Sequence, residues 1–432
     1  MESASLAAPV AQSERITILD SLRGFAILGI LLMNIGSFGM PGDTFALGET
    51  GINYKTWYFI SWIPDGTQRA LFSMLFGAGI LLFVRNVEKR TEGIRTADYF
   101  FRRQIWLLVF ALVDIFLLLW QGDILLDYAL FGMLIFTFRN LSPKKLLIAA
   151  GVCLLLMLAR ENRDLYLDKK VITRGEAVAA FDTTKVKLTP KQEDRLEAMH
   201  DMKKSSMPEK RLKRIEKNKL TLNSGTYEEV YEWRTSRYLN HMVQYIFFEI
   251  WDVLLFMFLG MAFFKMGILT GEAPAKVYWW MLIIGLGLGL LISYLQMQQE
   301  VSYRYNHFEF TKNVSFSFYQ FHRALRSLGL FAILMLLYKS GVFKWLFALM
   351  RPVGQMAFTN YLMQSIICGL IFNSYGLGLY GKLQRIEVYY VVGAVWLFQI
   401  IFCHVWLRLY RFGPFEWAWR SLTYWKKMPL RK

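Results

Sequence analysis

The sequence predicts an all-α membrane protein, a polytopic helical bundle of about ten transmembrane helices carrying a charged extracytoplasmic insert. Three observations carry that expectation. Of 432 residues, 55% are hydrophobic and 16% aromatic, too apolar for the two or three soluble domains that this length ordinarily implies. Ten apolar windows are long enough, or nearly so, to cross a bilayer. Lys and Arg are divided very unequally between alternate loops.

The windows fall near 22–40, 67–84, 104–120, 123–138, 145–159, 243–264, 277–296, 317–338, 354–372 and 386–407. With a cytosolic N-terminus, the inner segments hold 22 Lys and Arg, against five in the short outer loops: Lys55, Arg304, Lys312, Lys382 and Arg385. Cytoplasmic loops carry the positive excess, so both termini are expected in the cytosol. The formal charge of +17 therefore reads as topology, and no nucleic-acid partner is expected. Only Arg15 is basic before Asp20 and no small-residue cleavage pattern precedes Asn34, so the first span is read as uncleaved.

Two membrane halves, 1–159 and 242–432, flank a segment at 160–241 with 19 basic and 14 acidic residues. Long loops translocate largely regardless of charge, so its outward placement fits the topology. Its composition suggests solvated helices near 190–218, acting as a spacer or cap, with a lid over a substrate site as the alternative.

Arg23, Arg69, Arg323 and Arg326 lie within or at the ends of spans, as do Asp114, Asp123, Asp127, Glu249 and Asp252. A charge at a helix centre costs roughly 2.5 to 3.5 kcal/mol on insertion scales, so each group should face a partner or a wet cavity. On the sixth span His241, Tyr245, Glu249 and Asp252 fall within about 80° at 100° per residue. On the eighth, His322, Arg323 and Arg326 recur at helical spacing at a comparable depth, so the two stripes should pair. An ion-pair network is one outcome; a substrate-binding centre including Asp65 is the other. His322 is the general-base candidate, because imidazole titrates near neutrality.

Cys153, Cys368 and Cys403 sit singly in apolar runs, and the five His residues have no HExxH spacing, so neither disulfides nor a metal site is expected. Gly285, Gly287 and Gly289 lack the Lys and Ser/Thr of a phosphate loop, and close helix packing explains them better. Trp417 and Trp419 suit an interfacial segment in which Glu416 and Arg420 are i,i+4 neighbours.

The runs LDSLRGFAILGILLMNI (19–35), LFSMLFGAG (71–79) and GDILLDYALFG (122–132) resemble the YeiB-like family (domain of unknown function 418) of bacterial membrane proteins. So do GQMAFTNYLMQS (354–365), YGLGLYG (375–381) and GPFEWAWRSLTY (413–424), in the same order, leaving out only 160–240. The resemblance implies a location in the bacterial cytoplasmic membrane and kinship, without an activity to carry over. More distantly, Leu19 to Gly24 resembles the opening of transmembrane acyltransferases. There an Arg is followed after ten residues by His; here Arg23 is followed after ten residues by Asn34. Asn can stabilise an oxyanion but cannot take a proton near neutral pH, so the base must come from His322, Asp114 or Asp65.

That resemblance implies acyl transfer from a cytosolic thioester to an envelope or carbohydrate acceptor, with Asn34, Asp114 and His322 as catalytic candidates. Asp65, Arg69, Asp123, Asp127, Glu249, Asp252, Arg323 and Arg326 are the substrate-binding candidates. Arg23 and Arg420 would receive the phosphates of acyl coenzyme A, a co-substrate and not a bound cofactor. The intramembrane charges suit a transporter or permease equally. A non-catalytic scaffold or sensor, built on the insert, is the third expectation.

Overall fold

The computed structural model describes residues 16–41, 48–89, 94–181 and 187–432. Among them the chain is helical throughout, with one isolated β-bridge between Tyr410 and Arg431. The first half holds α1 (Thr17–Gly39), α2 (Gly51–Trp62), α3 (Thr67–Glu88), α4 (Arg95–Phe116) and α5 (Leu125–Ile135). Then come α6 (Pro143–Ala179), α7 (Pro190–Ser205), α8 (Pro208–Ser224) and α9 (Tyr227–Lys265). The rest comprises α10 (Ala275–Leu282), a π-helical turn at Ile283–Leu288, α11 (Gly289–Ser302), α12 (His307–Asn313), α13 (Tyr319–Ser340), α14 (Lys344–Gln355), α15 (Ala357–Phe372), α16 (Arg385–Leu409) and α17 (Pro414–Tyr424).

Among the described residues six helical stretches are long and apolar enough to cross a membrane: Thr17–Gly39, Gly51–Glu88, Tyr227–Lys265, Ala275–Ser302, Tyr319–Ser340 and Arg385–Leu409. The other apolar windows fall in α4, in the shorter apolar helices Leu125–Phe138 and Ala357–Phe372, and in the first part of α6. α2 lies outside the ten apolar windows. It is an aromatic helix that turns into α3 through Gly66, whose φ of +71° suits glycine and whose missing side chain makes room for Arg323.

Two close crossings organise the bundle around α1 and α3, and both depend on absent side chains. A methyl on Gly24 would overlap the Met350 carbonyl, and one on Gly354 would overlap that of Asp20, so α1 and α14 touch backbone to backbone. Ser21 reinforces the crossing by donating to the Phe347 carbonyl at 2.8 Å. In the same way Gly77 of α3 meets Met257 of α9, and Gly260 meets Met74. Small residues allow this approach where hydrocarbon offers no hydrophobic drive between helices. Gly285 likewise meets Gly329 of α13, whereas Gly287 faces open space.

The charged segment is continuous with the bundle. The expected boundaries at 160 and 241 lie inside α6 and α9, which pack along each other. α9 begins at a capping box in which Thr226 and Glu229 satisfy each other's backbone N–H, so the helix starts well before the apolar run. The solvated helix expected near 190–218 is two helices, α7 and α8, parted at Ser206–Met207. Ile172, Met199 and Phe308 form a small separate core that holds α7 against α6 and α12.

Candidate functional site

One rise of 1.5 Å per residue puts Arg23 and Asn34 about 16 Å apart along α1, so cavities at these residues open toward opposite ends of the helix. At the Arg23 end lies a cavity of about 270 Å³, here called the basic cavity. Asp20 holds the Arg23 guanidinium at 2.9 Å, and Arg103 of α4 and Arg420 of α17 share the same lining. Arg103 stacks 3.8 Å from the Trp419 ring, whose indole N–H donates to the Arg103 carbonyl at 2.9 Å. Three guanidinium groups at one mouth repel one another, a repulsion that an anionic group placed among them would relieve.

The position of Arg420 depends on Glu416. Its carboxylate accepts from the N–H groups of Phe358 and Thr359 at 2.8 and 3.0 Å and from the Thr359 hydroxyl, capping the start of α15. Burial pushes the Glu416 carboxyl above its ordinary range, while these hydrogen bonds oppose the shift. Its spacing suggests pairing with Arg420; the structure gives its oxygens to α15 instead. Trp417 is similarly engaged, donating to the Met428 carbonyl at 2.7 Å.

Inward from this mouth the lining becomes Phe72, Phe76, Leu107 and Leu125, ending at Tyr128 and Tyr361. These two tyrosines form a septum. The Tyr128 hydroxyl is 2.8 Å from that of Ser73. The Tyr361 hydroxyl donates to Asp123 at 3.1 Å and accepts from the Ile124 N–H at 3.0 Å. Asp123 in turn accepts from the Leu126 N–H at 2.8 Å, which fixes it at the start of α5. Asp114, fully buried, lies behind it against Asp123 and Ser365.

Beyond the septum is the acidic cavity, of about 540 Å³. Asn34, Arg69, Asp123, Asp127 and Glu249 line it, together with Arg234, Arg237 and Tyr245. Arg69 binds Glu249 at 2.5 Å and also Asp252, which pairs in addition with Arg323. The expected pairing of the two helical stripes is therefore real for Asp252 and Arg323. Arg326 departs from it: its Nη1 donates to the carbonyls of Ser61, Trp62 and Ile63 at the end of α2, at 3.3, 2.5 and 3.3 Å. Helix C-terminal carbonyls carry partial negative charge and replace a carboxylate here.

A third cavity, of about 780 Å³, adjoins the same end of α1 through Met33 and Gly36. Asp65, His322 and Arg326 line it. His322 and Asn34 thus face different cavities, while Asp252, Arg323 and Asp114 are buried in the walls. His241 lies in a shallow groove with Trp233 and Arg237. The charged segment reaches both chambers at this end: Ile215, Asn218 and Leu222 of α8 line the acidic cavity, and Ser205 and Ser206 line the third.

Arg103, Tyr128 and Tyr361 were not legible as site residues. Arg103 counts only as a loop charge in a topology argument. Tyr128 and Tyr361 do fall in GDILLDYALFG and GQMAFTNYLMQS, and it is the fold that brings these two runs face to face.

Residues 263–426 match the family described as "Protein of unknown function (DUF418)". The chain is 30% identical to "Uncharacterized protein YxaH" of Bacillus subtilis (strain 168), covering 98% of each chain. It is 30% identical to "Uncharacterized protein YeiB" of Escherichia coli (strain K12), over 95% of this chain and 96% of that one. A third relative, "Uncharacterized 39.9 kDa protein in amylase 3'region" of Bacillus acidopullulyticus, is 25% identical over 98% of this chain and 97% of its own length. No solved structure matches.

Proposed function

The chain belongs to the YeiB-like DUF418 family, and from that premise we propose that it is a membrane-embedded transferase that passes an acyl group from a cytosolic thioester to an acceptor on the far side. In this reading it crosses the bacterial cytoplasmic membrane about ten times with both termini inside, so the basic cavity opens to the cytosol. A cavity of about 270 Å³ takes the acyl and pantetheine portion of acyl coenzyme A, with the nucleotide phosphates at Arg23, Arg103 and Arg420. The acceptor hydroxyl or amine enters the acidic cavity.

The observation that carries this reading is Tyr361, which lines the basic cavity and whose hydroxyl is bonded to Asp123, a wall of the acidic one. At that septum the acceptor attacks the thioester carbonyl, forming a C–O or C–N bond as the C–S bond breaks. Asp123 takes the acceptor proton, the Tyr128 hydroxyl donates to the transient oxyanion, and the proton returns to the departing thiolate. Asp123 replaces His322 as the base because His322 lines a different chamber. Asn34 orients the acceptor by hydrogen bonds.

Isothermal titration with acetyl and longer acyl coenzyme A tests the donor half: binding is expected in the wild type and lost in Arg23→Ala and Arg103→Ala. Absence of binding at every chain length sinks the proposal. Two opposed chambers with a thin septum also suit a permease. Solute flux in proteoliposomes without acyl transfer selects that reading.

A further inference from the structure

The third cavity holds buried groups that the transfer reaction does not use. Arg326 is fully buried, and while its Nη1 is fixed on the end of α2, its Nε and Nη2 have no hydrogen-bond partner among the described residues. His322 is 3% exposed, and its Nδ1 is likewise without a partner. A buried polar group left without a partner is destabilising. These groups line a chamber of about 780 Å³, within the about 300–1,000 Å³ usual for small-molecule sites.

The opposite wall is chemically complementary. Asp65 accepts from the Tyr319 hydroxyl at 2.9 Å and lines the same chamber, as do Glu300 and Gln296. Donors thus converge from α13 and carboxylate acceptors from the α2–α3 turn and α11. An anion drawn to Arg326 would meet Asp65 and Glu300, and a cation drawn to the carboxylates would meet Arg326. Hydroxyl groups both donate and accept, so a neutral polyhydroxylated molecule satisfies every wall at once. Half-buried Tyr389 and Phe310 supply apolar surface for the C–H face of a ring.

We propose that the third cavity is a binding site for an uncharged carbohydrate, held by hydroxyl bonds to the carboxylates of Asp65 and Glu300 and, after a small side-chain shift that opens their buried nitrogens to the chamber, to Arg326 and His322. The site is separate from the basic and acidic cavities, so the failure of acyl transfer leaves it standing.

The test uses the full chain in nanodiscs without glycoside detergents, and saturation-transfer difference NMR. The probes are methyl glucoside, methyl galactoside, N-acetylglucosamine and maltose, with gluconate and glucosamine as charged comparators. At least one neutral sugar is expected to bind and both charged analogues to bind more weakly. Asp65→Asn and Glu300→Gln keep shape while removing charge, and each is expected to weaken binding about tenfold, the effect of losing one hydrogen bond to a charged group. Arg326→Met should abolish it; because that change also uncaps α2, the two isosteric variants carry the decision. The proposal is overturned by absence of signal from all four neutral sugars, by stronger binding of gluconate or glucosamine, or by undiminished binding in both isosteric variants.

Discussion

Replacing Arg323 by Met isolates the energetics of the charge cluster. Asp252 and Arg323 are each 3% exposed and paired with each other, so the substitution leaves a buried carboxylate with the half-exposed Arg69 alone. Breaking a buried pair by removing one partner costs about 3–5 kcal/mol, most of it from the charge left behind. Removing both charges, in Arg323→Met with Asp252→Leu, should recover most of that loss. Arg69 keeps Glu249 at 2.5 Å, so the double variant strands no cation. A coupling of at least about 2 kcal/mol between the two sites is expected. Cys153, Cys368 and Cys403 are all buried and unpaired, so the rate of thiol labelling in graded denaturing detergent reports unfolding directly. If the double variant is no more stable than Arg323→Met, or if the single variant unfolds at the wild-type midpoint, the cluster is not a closed ion-pair network and the reasoning fails.

Other outcomes follow from the same geometry. Tyr361→Phe and Asp123→Asn should leave acyl coenzyme A binding intact in titration while slowing single-turnover acyl transfer about 10²- to 10⁴-fold, the range of general acid–base assistance. Gly354→Leu and Gly260→Leu should each destabilise by about 1–3 kcal/mol through overpacking, whereas Gly287→Leu, facing open space, should leave the thiol-labelling midpoint unchanged. Glu416→Ala should cost about 1 kcal/mol by uncapping α15 and should weaken donor binding, because Arg420 sits one turn further along the helix that Glu416 anchors.

Much of this was legible in the sequence, and what was not shares a physical cause. Hydropathy reports how deep a residue lies, so the charged stripes of α9 and α13 were placed at one level and Asp252 found Arg323. Depth does not say which way a helix is turned about its axis. Asn34 and His322 lie toward the same end of the bundle, yet face chambers separated by the wall that α1 itself forms. Arg326 found backbone carbonyls because its partner belongs to α2, whose aromatic, weakly apolar sequence gave no span. Hydropathy falls at residues 160 and 241 while the hydrogen-bond ladder of α6 and α9 continues, so neither position ends a helix. In the LDSLRG motif, Ser21 and Gly24 serve the crossing with α14, and Asp20 and Arg23 face the basic cavity.

α6 and α9 enter the charged segment without a break, so they stand as posts, and α7 and α8 lie between them in the chain, parted at Ser206–Met207 and followed by a turn at Gly225. Residues beside both breaks line chambers, Ser205 and Ser206 the third cavity and Leu222 the acidic one. A displacement of α7 and α8 as one body would therefore reach the walls of both chambers together, tying the shape of one to that of its neighbour.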